Sequence, residues 1–210
     1  SPWNFPLAIL CVMTIGPLVA GNPVILKPAS VASAIGYHFF LALQEAGVPS
    51  DAIHFLPGDG GVIGRHLVHH PDIHIINFTG SREVGLRIIQ DAAVLQPGQK
   101  HVKKVLAEMG GKNAIIIDSD ADLDEAVTGS IQSAFGYQGQ KCSALSRLII
   151  HEKIYERFKT RLVEAMLSMK MGAAEDTAAR IGPVIDEVAQ KRLLEVIDRR
   201  QARVVAQLPV

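Results

Sequence analysis

Cysteine is almost missing from this chain, with two in 210 residues, which excludes a disulfide-stapled secreted scaffold and favours a reducing, cytoplasmic setting, or a mitochondrial matrix in a eukaryote. An excess of either charge is missing as well. Lys plus Arg and Asp plus Glu number 21 each, so nothing electrostatic argues for nucleic acid or an anionic membrane as a partner. No charged residue precedes Lys27, yet Pro6, Gly16, Pro17, Gly21 and Pro23 interrupt the apolar run, which argues against a membrane-spanning helix. Residues 1–26 therefore read as buried strands with a short helix between them, and the basic flank of a signal peptide is lacking. There are no internal repeats and no low-complexity linkers. What is present is ordinary for an α/β protein: 48% apolar residues, 18 glycines, and enough length for one good core or two small ones.

Along the chain, apolar runs bounded by turn residues predict strands at 24–27, 53–56, 73–77, 104–107, 114–117 and 147–150. Lys27 stands at the carboxyl end of the first, where ligands collect in open α/β sheets, and is a candidate donor to a cofactor ribose; a solvated lysine is the plainer alternative. Ser30 is placed to cap a helix running through Leu43, which Gly47 and Pro49 end. The Gly58–Gly64 cluster misses the usual dinucleotide fingerprint, because Gly58-x-Gly60 requires glycine at 63 and finds Ile63, with Gly64 one place late. Such a turn still offers free N–H groups and a dipole to a pyrophosphate. Thr79-Gly80-Ser81 caps a helix over 82–92, and Ser81 suits a phosphate contact too. Helices are expected at 154–169, stopped by Gly172, and at 186–200.

Residues 104–107 deliver Glu108 into Gly110-Gly111, where flexible backbone lets a carboxylate swing or hold a water. A domain junction is placed here, giving domains 1–107 and 108–210. Asp118, Asp120, Asp122 and Asp124 lack the glycine and closing glutamate of an EF-hand, so they read as helix-dipole capping. His66, His69, His70 and His74 carry no His-Glu-x-x-His pattern or cysteine partner, so they read as surface histidines and no metal is expected. Gly139-Gln140-Lys141-Cys142-Ser143-Ala144 sets a lone thiol among small and polar residues after the apolar, helix-like stretch 131–137. Free cysteines are more often inert, but flanking glycine and lysine favour reactivity at Cys142, whereas Cys11 lies among apolar residues as core filler.

Gly139-Gln140-Lys141-Cys142, together with Glu108-Met109-Gly110-Gly111-Lys112 upstream, resembles the nucleophile and general-base motifs of the NAD(P)-dependent aldehyde dehydrogenases. Pro2-Trp3-Asn4-Phe5-Pro6, and Lys27-Pro28-Ala29 with Phe78-Thr79-Gly80-Ser81, match in the same order, and the likeness extends to about Pro183. Within that superfamily the chain is most similar to the 1-pyrroline-5-carboxylate (glutamate semialdehyde) dehydrogenases, including the dehydrogenase part of bifunctional proline-utilisation proteins. The resemblance implies an open, largely parallel Rossmann-like sheet with helices on both faces, followed by part of a second α/β catalytic domain. It implies Cys142 as nucleophile, Glu108 as deacylating base and Asn4 as oxyanion donor. It also implies an NAD site, with NADP possible, at Lys27, Ser30, Gly60, Gly64, Thr79, Gly80 and Ser81, and Ser143 on the substrate carboxylate. A small aldehyde is the implied partner and a homo-oligomer the implied assembly. Ser30 stands where many NAD-preferring relatives carry a glutamate, which leaves NADP open. The family pattern also extends beyond both ends of this chain, so little or no turnover is expected of it alone. An inactive piece with a structural role, another semialdehyde dehydrogenase and a dinucleotide-binding module without chemistry stand as alternatives.

Overall fold

The computed structural model describes residues 1–199 and 202–208, which form two compact units, Ser1–Gly110 and Gly111–Val210. Every strand pairing in both units is parallel. The α/β class therefore agrees with the sequence reading, and the ladders are short: three pairs of strands among the described residues.

In the first unit, α1 (Ala8–Val19) is one continuous helix where strands flanking a short helix were expected. Pro17 lies inside the last turn and has no N–H to give Met13 O, and the helix closes just beyond it in a Schellman motif: Gly21, at φ 79°, donates its N–H to Leu18 O (2.9 Å), and Asn22 donates to Pro17 O (3.0 Å). β1 (Val24–Leu26) follows and pairs with β2 (Ile53–Phe55). Between them α2 (Ser33–Glu45) ends as the sequence implies, with Gly47 donating to Gln44 O and Val48 to Leu43 O, both at 3.0 Å. Ser30 does not cap α2. It lies in a preceding 3-10 turn, Ser30–Ala32, and its hydroxyl is turned elsewhere. Leu10, Leu26, Phe39 and Ile53 are buried together, so the helices and the strand pair close one small core.

α3 (Arg65–His69) is a short helix entered through a π-helical turn, Gly60–Gly64. β3 (Ile75–Gly80) runs three residues beyond the expected end and takes in Thr79 and Gly80, leaving Ser81 alone to cap α4 (Arg82–Ala92) through an Oγ that accepts from Val84 N–H at 3.3 Å. Its partner β4 (Lys104–Met109) likewise runs past Ala107. Gly85 lets α4 approach this pair closely, since a Cβ there would lie 2.7 Å from Met109 Sδ.

The second unit pairs β5 (Asn113–Ile117) with β6 (Leu145–Ile150) and packs α5 (Leu123–Phe135) and α6 (Tyr155–Leu167) over them. Ile117, Leu123, Val127, Ile154 and the fully buried Phe158 make its core. Of the four clustered aspartates, Asp122 caps α5, accepting from Asp124 N–H (2.9 Å) and Glu125 N–H (3.1 Å), and Asp124 pairs with Arg161. α6 ends at Leu167, before Gly172, which instead donates its N–H to Ile181 O. α7 (Glu187–Asp198) is capped by Asp186; Arg200, the expected helix end, lies outside the described residues. No helix among the described residues is long and apolar enough to cross a membrane.

Candidate functional site

Parallel pairing of β1 with β2 puts both carboxyl ends at one edge, and the chain segments leaving them meet there. Ser30 Oγ donates to Gly58 O at 3.1 Å, tying the turn after β1 to the glycine turn after β2. Lys27 lies half-buried in the same place, its Nζ donating to Pro28 O at 3.2 Å and its Cε 3.8 Å from where a Gly64 Cβ would stand. Burial holds the Lys27 pKa below the ordinary lysine value, and the Asp59 carboxylate pulls the other way. Lys27, Ser30 and Gly64 are thus neighbours.

The glycine turn differs from expectation in one respect that bears on chemistry. Asp59 Oδ1 accepts from Gly61 N–H (2.7 Å) and Val62 N–H (3.1 Å), so those groups are already bonded and a carboxylate stands where an anion was expected. The signal was available: an aspartate two residues before a glycine is an Asx turn. Gly60 is exposed and has open space around its Cα, so it leaves room for a ligand instead of supplying one of those N–H groups.

At the other strand pair, Thr79 stands opposite Glu108 and Gly80 opposite Met109. Glu108 is therefore inside a strand and not beyond its end. Register partners in a parallel pair point to the same face, so Thr79 and Glu108 share one, while Phe78 and Met109 lie on the face that Gly85 of α4 approaches. Asn4 is half-buried in the bend that precedes α1.

Cys142 and Ser143 are exposed on a turn between a 3-10 segment, Gly136–Gly139, and β6. Cys11 is different: it is half-buried on α1, packs against the first unit's core, and burial pushes its thiol pKa up. The chain enters the Cys142 turn through three successive left-handed residues, Tyr137 (φ 62°), Gln138 (φ 57°) and Gly139 (φ 68°). Left-handed backbone costs a non-glycine residue about 1–2 kcal/mol, so Tyr137 and Gln138 need neighbours to hold them. Gln138 places its amide to donate to Tyr137 O (3.1 Å) and accept from Gly182 N–H (2.9 Å), an orientation that satisfies both ends and forgoes a contact with the Gln140 amide. Gln140 accepts from Ile185 N–H at 3.1 Å. On the opposite side Asn113 donates to Cys142 O (2.8 Å) and Ala144 O (3.2 Å). Sequence reading passed over Asn113, because nothing local marks an asparagine that acts 29 residues away.

The aldehyde dehydrogenase family model matches residues 1–208. Among characterised relatives, the 1-pyrroline-5-carboxylate dehydrogenase of Geobacillus thermodenitrificans is 48% identical over 198 residues, covering 94% of this chain and 38% of the relative. That of Bacillus licheniformis is 45% identical over 207 residues, covering 98% and 40%. Among solved structures, proline utilization A from Bdellovibrio bacteriovorus superposes with a TM-score of 0.92 at 52% identity, over 94% of this chain and 20% of that one. The 1-pyrroline-5-carboxylate dehydrogenase from Thermus with bound NAD gives 0.92 at 45%, over 94% and 38%. This chain spans about two fifths of the length of those dehydrogenases.

Proposed function

From the premise that the chain belongs to the aldehyde dehydrogenase family, we propose that it carries the nucleophile and part of the cofactor site of a 1-pyrroline-5-carboxylate dehydrogenase. The reaction is oxidation of glutamate 5-semialdehyde to glutamate, a step of proline catabolism, in a reducing, cytoplasmic compartment. The observation that carries this reading is the exposed Cys142 turn, in a chain 48% identical to a relative of that name.

Cys142 attacks the aldehyde carbon as thiolate, and the carbonyl π pair moves onto oxygen. Asn4 and the Cys142 N–H donate to that oxyanion, a neutral amide being suited to donate without becoming a competing acid. The former aldehyde carbon gives up a hydride as the oxyanion re-forms its carbonyl, and NAD, if bound, would supply the acceptor. The product on the enzyme is a Cys142 thioester, which water hydrolyses once Glu108 has taken its proton, releasing the carboxylate and the thiol. Ser143 holds the substrate's own carboxylate.

The residues present suit the cofactor. Lys27 spends one of its three donors on Pro28 O, leaving two for ribose hydroxyls, and Ser30, having donated to Gly58, keeps lone pairs to accept. Ser30 also brings no charge against a 2′-phosphate, so NADP is admitted. Gly60 and Gly64 leave room for the ligand, and Thr79, Gly80 and Ser81, at and just past the end of β3, complete the proposed set. The domains proposed are 1–107 for the cofactor and 108–210 for the thiol, whereas the compact units divide at Gly110 and Gly111 and so keep Glu108 in the first. The assembly proposed is a homo-oligomer, supported by exposed apolar side chains such as Ile116 (76%) and Ile149 (55%) on β5 and β6.

In the full-length protein, Cys142→Ser abolishes NADH formation from glutamate semialdehyde, whereas Cys11→Ser retains it. Persistence of turnover in Cys142→Ser overturns the assignment.

A further inference from the structure

The carbonyl of the proposed nucleophile is itself held by a side chain. Asn113 opens β5 at a register irregularity between Asn113 and Ala114, and this offset sets its amide against the Cys142 turn. Both of its contacts there are backbone carbonyls, of Cys142 at 2.8 Å and of Ala144 at 3.2 Å. Two acceptors demand the –NH₂ end, so the orientation of the amide is dictated by its partners. We propose that Asn113 is a positioning residue for Cys142: its amide clamps the carbonyls on either side of Ser143 and so sets the direction in which the thiol leaves the backbone. The inference rests on the reading of Cys142 as nucleophile.

The geometry gives the clamp leverage. Fixing a carbonyl in a trans peptide fixes the N–H across the bond on the opposite side, so the Cys142–Ser143 peptide plane is set by one hydrogen bond. With the Cys142 backbone placed, Sγ is restricted to the few staggered positions about χ1. The other side of the turn is braced independently, since Gln138 holds Gly182 N–H and Gln140 holds Ile185 N–H beneath the left-handed residues. Cys142 is exposed and sits on a turn, so without such ties its thiol would sample many directions. A displacement of about 1 Å is enough to cost a reaction on the order of 10²-fold.

Asn113→Asp is the sharpest test, because it keeps the shape and replaces both donors with acceptors that repel the two carbonyls; Asn113→Ala removes the contact without adding charge. Each variant of the 210-residue chain is treated with limiting iodoacetamide, and labelling at Cys142 and Cys11 is followed separately by peptide mass. Cys11 reports global opening in the same sample. The expected result is a change of about threefold or more in the Cys142 rate, with Cys11 unaltered. In the full-length protein the same variants lower kcat by about 10–100-fold while KM for NAD stays within about twofold. Cys142 labelling within twofold of the parent in both variants overturns the proposal. So does a parallel rise at both thiols, which marks a merely structural role. The labelling arm does not depend on dehydrogenase turnover, so it fails separately from the functional reading, whose own failure is an active Cys142→Ser enzyme.

Discussion

Glu108 shows how a single residue's place in a strand shapes its chemistry. Exposed on β4 and opposite Thr79, it shares a face with a residue of the proposed cofactor set, and Gly110 follows two positions later. In the proposed mechanism a base in this position is needed only after the thioester exists, because acylation is assigned to Cys142 and Asn4. Glu108→Gln preserves size and hydrogen bonding while removing the base. In the full-length protein a single-turnover burst of NADH is expected to survive while steady-state turnover falls by about 10²–10⁴-fold. Stopped-flow absorbance separates the two phases. Loss of the burst along with turnover would assign Glu108 to an earlier step, and no change in either would leave it structural. At the same scale, Asp59 corrects the idea of a free anion cradle: its carboxylate takes the Gly61 and Val62 N–H groups, so the proposed cofactor site has to rely on other donors.

Helix ends were among the features that the sequence marked most clearly, because a cap is a local interaction between near neighbours. Ser81 and Asp122 both accept the backbone N–H groups expected of them. Two backbone donors hold the Asp122 pKa below the usual carboxylate value, with Arg161 adding a smaller push in the same direction. A depressed folded-state pKa means that this stabilisation is complete above the unfolded value, about 3.9, and is lost as pH falls through the folded one. Asp122→Asn keeps a cap but removes the charge. The difference in urea midpoint between parent and variant is therefore expected to hold near neutrality and to shrink below about pH 4. A difference independent of pH between 2 and 7 would show that the charge at α5 contributes nothing. Ser30 is the counter-example: a serine before a helix looked like a cap, yet its hydroxyl bonds Gly58 O, 28 residues away, and no local pattern could reveal that competition.

For the molecule as a whole, the described residues form two cores and the chain spans about two fifths of the length of its dehydrogenase relatives. The 210-residue chain alone is accordingly expected to form no more NADH from glutamate semialdehyde than its Cys142→Ser variant does, measured at 340 nm; robust turnover would show that these two units suffice.

Apolar periodicity, glycine stops and the motif order around Cys142 and Glu108 were enough for the parallel α/β class and the family, since those signals act over a few residues or survive as exact short strings. Folding alone settled which apolar run became helix α1, how far β3 and β4 extend, and that Asp59 fills its own glycine turn. It also brought Asn113 to the carbonyl of Cys142. Each of these depends on partners distant in sequence or on competition among several donors for one acceptor, and a linear pattern holds no record of who wins.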